Sequence, residues 1–452
     1  MVLEKAEDLT PKVLQEIFQR SLGKSSIQVT HVQAPEGLGG VNDQYGSDLA
    51  KIIVTVEEDG KPRKLHLVVK TALQSKTAWF NVILGSFIFY HETFWFDAAL
   101  PELLELVNAE QAAALTEFVP KVHYARCNYQ QEDRQGCLLN NGVMCCCCIL
   151  CFKSKEKGMI LMENLKEGNE DTYVDLKEIE RTSGGGVKTS HLRMILEALA
   201  HFHGAWMVWL KKGEGMGDMT RDQMIKFFEP GKMYQKKWIW KSAMKKFMSY
   251  YTVCAETKNM QSTKERIQKF INSPQSVDHF MKVFNYKDSK FKTMTHCDLW
   301  TSQIMFSLNE DGTPKRVKIL DYQLMQLGHP AMDIWSIVYS CTDGEYRKDY
   351  LEEDLKAYYT ILSGYMDARE DYTEFRQEVE DRRTYGQVLN SVCCFATLSP
   401  TKLPNPMTEM SKFGKACKGI LTAEEKEEDH PDIKEIRRRM MSNLKEMEAN
   451  LI

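Results

Sequence analysis

The spacing of apolar and polar positions changes near residue 166 and divides the chain into two textures. At the start, Leu9, Val13, Ile17 and Leu22 recur on a common helical face, which predicts one helix over residues 1 to about 30. The runs Lys51–Val56 and Leu65–Lys70 are β-branched and apolar, and EEDGKPRK between them carries the Asp-Gly signal of a hairpin. Helical periodicity follows over Ala78–Leu104, while Phe118–Tyr124 and Met159–Met162 read as further strands. Beyond that point the pattern is helical at 190–211, 221–250, 262–285, 331–342, 346–366 and 372–396. One short hairpin interrupts it, Gln303–Phe306 with Val317–Leu320 around the turn sequence NEDGTP. The charged tail 422–452 predicts a solvated terminal helix. The fold class is therefore α+β, with a β-rich lobe over 1–163 and a larger helical lobe over 164–452. A cleft between two such lobes is a common place for a ligand.

Composition narrows the function classes. Hydrophobic residues at 43% give the chain enough apolar surface to bury, which excludes disorder of the whole. Lysine and arginine total 59 against 63 acids, a net −4, which argues against nucleic acid or an anionic membrane as a broad partner. The most apolar window, Phe80–Leu100, contains His91, Glu92 and Asp97, so no membrane span is expected. The N-terminal sequence carries acids early and has no continuous apolar core, unlike a signal peptide. Of 13 cysteines, seven crowd between Cys127 and Cys151, which without a secretory signal predicts reduced thiols and a cytoplasmic location. The four adjacent thiols Cys145–Cys148 cannot all converge on one tetrahedral ion, so this run reads as an apolar insertion rather than a zinc site.

The chemistry concentrates in short motifs. Thr295-His296-Cys297-Asp298-Leu299-Trp300-Thr301-Ser302-Gln303 has the register H-x-D-x-x-x-x-(N/Q), and a hairpin later comes Asp321-Tyr322-Gln323. One carboxylate, Asp298, can orient a hydroxyl and accept its proton, while a second, Asp321, can ligate magnesium on nucleotide phosphates. A lone HxD motif would be an ordinary turn; the second acidic element changes that reading. Lys70 ends the strand LHLVVK, and Glu92 lies on the following helix, a spacing suited to a lysine that neutralises phosphate and a glutamate that positions it. Gly37, Gly39, Gly40 and Gly46 do not form GxGxxG, yet Gly46-Ser47 before a strand could still offer backbone N–H groups to phosphate. Glu163 and Leu165 leave a strand into the linker. Met233–Tyr250 and Val388–Leu398, rich in aromatics, Met and small residues, fit either an apolar acceptor wall or core packing.

The set GSDLAKIIV, LVVK, FIFYHETFWF, MILMENL, LAHFHGAW, HCDLWTSQIMF, ILDYQ and PAMDIW, from about residue 40 to 400, resembles the ecdysteroid kinase-like family. These are choline-kinase-like small-molecule kinases related to aminoglycoside phosphotransferases. The resemblance implies a protein-kinase-like two-lobed fold and ATP- and Mg2+-dependent phosphorylation of a small alcohol, an ecdysteroid among the candidates, by a monomer. It makes Asp298 with His296 the catalytic pair and Asp321 with Gln303 the metal ligands. Gly46, Ser47, Lys70 and Glu92 would hold the phosphates, Glu163 and Leu165 would flank adenine, and His203 and Asp333 would buttress the loop. Three features depart from the family: Gln303 replaces asparagine, Cys297 replaces glycine, and an insertion spans roughly 128–157. The first two leave open a catalytically weak homologue that binds a nucleotide or an apolar ligand. HRD, DFG and APE elements are absent, which argues against a protein kinase.

Overall fold

The structure is a computed structural model that describes residues 2–37, 47–72, 88–128, 157–168, 171–182, 189–230, 237–366, 371–401, 403–404, 410–424, 426 and 429–450. Gly39, Gly40, Gly46 and the Cys145–Cys151 run lie outside these residues. Two compact units divide the chain. The first comprises Met1–Val174, Gly215–Thr220 and Lys318–Leu324; the second comprises Asp175–Glu214, Arg221–Val317 and Met325–Ile452.

In the first unit an antiparallel sheet runs in the order β1 (Gln28–Val32), β3 (Ser47–Glu58), β4 (Lys61–Ala72), β6 (Gly158–Glu163), β5 (Val122–Cys127), with β2 (Glu36–Gly37) also on β3. The β3–β4 hairpin turns at Asp59 and Gly60, with φ of 51° and 74°. Both lie in the left-handed region that a two-residue hairpin with this twist requires. One sheet face buries Ile52, Val54, Leu67, Val69 and Leu161 against Leu14, Ile17 and Phe18 of the helix Pro11–Leu22. That helix is shorter than the sequence predicts. Gly23, at φ 64°, turns the chain left-handed and donates its N–H to Arg20 and Gln19 carbonyls, so residues 28–32 are free to become β1. Alternation along β4 sends Lys70 to the opposite face, where it pairs with Ile160 of β6. The helix Ile88–Phe94, a π turn Trp95–Ala99 and the helix Leu100–Leu106 follow. Phe118 proves to end the helix Ala109–Phe118, fixed by the Asn108–Gln111 capping box, so the strand expected from 118 begins at Val122.

Among its described residues the second unit is mostly helical; its strands include the pair Thr293–Thr295 with Gln326–Gly328 and Ile304–Leu308, which with Pro314–Ile319 forms the expected hairpin. Met244, Met248, Tyr250, Val388, Phe395 and Leu398 all belong to its core, so packing accounts for these residues of the two aromatic-rich segments.

The charged tail departs from expectation. Its helix, Pro431–Asn450, buries Ile436, Met440, Leu444 and Met447 in that core rather than lying in solvent. Some of the charges that read as solvated are paired inward. Arg439, 1% exposed, meets Glu180, Glu435 and the Ser340 carbonyl, and Glu446 takes Arg347 and Arg383. Leu444→Ala should therefore destabilise the protein by about 2–5 kcal/mol, the usual cost of a deleted core leucine. Urea unfolding monitored by circular dichroism measures it; a solvated helix would give a change near zero.

Candidate functional site

Lys70 carries the first constellation. Its side chain is buried on a central strand, with Nζ 2.6 Å from Glu92 Oε2 and 2.9 Å from Asp321 Oδ1. Glu92 reaches it from the helix Ile88–Phe94, and Asp321 from the segment after the hairpin. Burial pulls the Lys70 pKa down, but Asp321 and Glu92 outweigh it and hold it above the ordinary lysine value. Burial raises the Glu92 pKa, and the Asp321 charge adds to that rise against the opposing pull of Lys70.

Asp321 sits at φ 66°, a left-handed backbone that costs a non-glycine residue about 1–2 kcal/mol. Such strain persists where surrounding contacts over-determine it, and it clusters at functional sites. The turn Tyr322–Leu324 that follows is buried at Tyr322 and Gln323, and the Gln323 carbonyl oxygen lies 3.2 Å from His91 Nδ1.

The second constellation lies in the second unit. Strand Thr293–Thr295 launches the loop His296-Cys297-Asp298, and Asp333, fully buried, gathers it. The His296 N–H donates to Asp333 Oδ2 at 2.6 Å and the Cys297 N–H to Oδ1 at 2.9 Å. His203 Nε2 stands 3.0 Å from the same carboxylate, and its Nδ1 is 2.7 Å from the Tyr358 hydroxyl. Burial raises the Asp333 pKa, but His203 and the loop amide outweigh it and hold the carboxyl below its usual range. Thr293 adds a hydroxyl bond to the His203 carbonyl. Thus His203 and Asp333 hold the loop, as the motif resemblance implies.

His296 is buried, and its Nδ1 accepts the Asp298 N–H at 3.4 Å, which sets the path of the chain into Asp298. Asp298 and Gln303 are half-buried on the same segment, Gln303 at the end of the turn Thr301–Gln303. Cys297 occupies φ 66°, a left-handed conformation that a glycine would adopt at no steric cost. Burial, reinforced by Asp333, pushes the Cys297 thiol well up, so it remains a neutral packing group beside Thr295 and Met332.

Ser47 is the buried first residue of β3. Glu163 closes β6: its N–H donates to the Lys121 carbonyl at 2.9 Å and its carboxylate accepts the Lys121 N–H at 2.8 Å. The Leu165 carbonyl accepts the Tyr173 N–H at 2.9 Å. The sequence did not single out His91, Thr293 or Tyr358; only their contacts with distant residues show their part. Among the described residues no three His, Cys, Asp or Glu side chains cluster as a metal site, and no helix is long and apolar enough to cross a membrane.

A buried lysine with two carboxylates, and an H-x-D loop on a buried aspartate, are features in keeping with a kinase-like phosphotransferase. The model of the ecdysteroid kinase-like family matches residues 41–368, and the chain belongs to that family. The α+β architecture, with an antiparallel sheet in the N-terminal region and a larger helical C-terminal part, agrees with it. No curated protein matches the chain.

Asp333→Asn should cost about 3–5 kcal/mol, since it breaks a buried charged network and turns an amide toward two N–H donors. Because Asp333 titrates below an unfolded carboxyl, its contribution is full above about pH 4 and fades as the pH falls through the folded value. Stability measured against pH should consequently fall less steeply below pH 4 in the variant than in the wild type.

Proposed function

We propose that the protein is an ATP- and magnesium-dependent phosphotransferase that moves the γ-phosphate to a hydroxyl of an ecdysteroid-like or other small alcohol, in the cytoplasm. The observation that carries this reading is the buried Lys70 ammonium held at 2.6 and 2.9 Å by Glu92 and Asp321. An ammonium fixed on a central strand by two carboxylates is suited to bind phosphate oxygens once one carboxylate turns to a metal. The Asp321 side chain, 27% exposed and a hard oxygen donor, fits magnesium. Magnesium held there would neutralise charge that develops on the phosphate oxygens during transfer.

In this reading Lys70 binds phosphate and Glu92 keeps it in place. Asp321 would hold the metal, and the Gln303 amide oxygen would be its second protein ligand. Asp298, whose approach is fixed by His296 and Asp333, orients the acceptor hydroxyl and takes its proton. Glu163 and Leu165 present backbone groups to adenine, and Gly46 with Ser47 covers the phosphates.

Asp298→Asn should keep nucleotide binding while turnover falls by about two to four decades. Asp321→Asn should instead abolish the magnesium dependence of nucleotide affinity. A coupled ATP assay over a steroid and small-alcohol panel, with calorimetry of nucleotide binding, separates the two; wild-type rates in both variants would sink the assignment.

A second reading, a nucleotide- or apolar-ligand-binding homologue with weak turnover, is favoured by the left-handed Cys297 beside Asp298 and by Gln303. Octahedral magnesium tolerates little displacement of its ligands, and glutamine sets its oxygen one methylene further out than asparagine. Gln303→Asn should therefore raise turnover and lower the magnesium concentration for half-maximal rate. The check is initial rate against magnesium at saturating ATP. No turnover in either protein, despite tight nucleotide binding, would favour the second reading.

A further inference from the structure

We infer that Tyr322 is a positioning residue whose ring locks the Asp321 turn to the helix carrying Glu92, so that both carboxylates meet Lys70 as one rigid group. The inference rests on the proposed role of Asp321 as metal ligand, and it concerns how that ligand is held.

Three consecutive residues of the turn are each tied down. Asp321 reaches Lys70 at 2.9 Å. Tyr322, 1% exposed, stacks on Trp95 with ring centroids 4.9 Å apart and planes 24° apart, and it meets Phe96 edge-on at 5.8 Å. The Gln323 carbonyl oxygen is 3.2 Å from His91 Nδ1.

On the helical side the partners are His91, Glu92, Trp95 and Phe96, residues one helical turn apart on a common face. The π turn Trp95–Ala99 begins at the aromatic contact itself, and single π turns of this kind recur at functional sites. Trp95 is fully buried, so the aromatic stack has no room to slide. A left-handed Asp321 flanked by these contacts cannot relax without unseating Tyr322, and a shift of the helix cannot move Glu92 without dragging the turn. The ring therefore does for Asp321 what outer-shell partners do for metal ligands elsewhere: it fixes their direction. Burial, with the charge of Glu92 added, pushes the phenol pKa well up, so the group that acts is the neutral ring.

The test compares full-length wild type with Tyr322→Leu, Tyr322→Phe and Trp95→Phe in two measurements. The first is amide hydrogen exchange by mass spectrometry. Tyr322→Leu should speed exchange together over 319–324 and 88–99, and Tyr322→Phe should restore wild-type protection in both. The second is the magnesium concentration for half-maximal rate, which should rise about 10- to 100-fold in Tyr322→Leu with the acceptor KM unchanged. Tyr322→Phe should return it to within about twofold, and Trp95→Phe should fall between. Should Tyr322→Leu fail to fold, Trp95→Phe carries both measurements. Faster exchange confined to 319–324, or no change in either segment, would overturn the inference. A wild type that neither binds nucleotide with magnesium nor turns over would instead remove the kinase reading, and the exchange result would still decide whether Tyr322 couples the two segments.

Discussion

A protonated amine taken out of water needs anions at contact distance, because the desolvation of an unpaired charge costs several kcal/mol. Lys70 lies on a central strand with neighbours on both sides, and much of the first unit is arranged around that need. The helix behind the sheet must bring Glu92 to 2.6 Å, and a segment from far along the chain must bring Asp321 to 2.9 Å. If either acid retreats, the buried ammonium keeps a single counter-charge. The strained backbone at Asp321 is one cost of meeting it.

The second unit solves the mirror problem. Here the buried charge is an anion, Asp333, and what converges on it is a histidine and two consecutive backbone N–H groups. A carboxylate that accepts from main-chain amides dictates the course of the loop itself, so the position of Asp298 follows from a residue that is fully buried beneath it. The two units thus use one rule with opposite signs.

The sequence made part of this legible. The Asp-Gly turn announced the hairpin because its two residues must be left-handed, and strand alternation then put Lys70 on the face away from Val69. The spacing from His296 to Asp298, and on to Asp321, marked the chemistry because such motifs are local. Elements whose cause is distant were read less well. The tail helix looked solvated because Arg437, Arg439 and Glu446 are charged, although Ile436, Met440, Leu444 and Met447 already recur at core spacing; the carboxylates and carbonyls that quench those charges lie elsewhere in the chain. The π turn at Trp95 and the left-handed Asp321 have no local signature. Cys297 in place of glycine is the exception, a local departure that surfaced as a positive φ.

The ion pair between Lys70 and Asp321 joins residues 251 positions apart, which gives it a consequence during biosynthesis. At elongation rates of roughly 5–20 residues per second, Asp321 leaves the ribosome about 10–50 s after Lys70. For most of that interval the β3–β4 hairpin and the helix with Glu92 have been made, but the second carboxylate has not. A nascent sheet that shuts early must bury Lys70 with a single counter-charge; one that waits must keep the edge of its core wet. Codon choice and chaperone access between these two points therefore bear on the yield of correctly closed protein, long before any substrate is met.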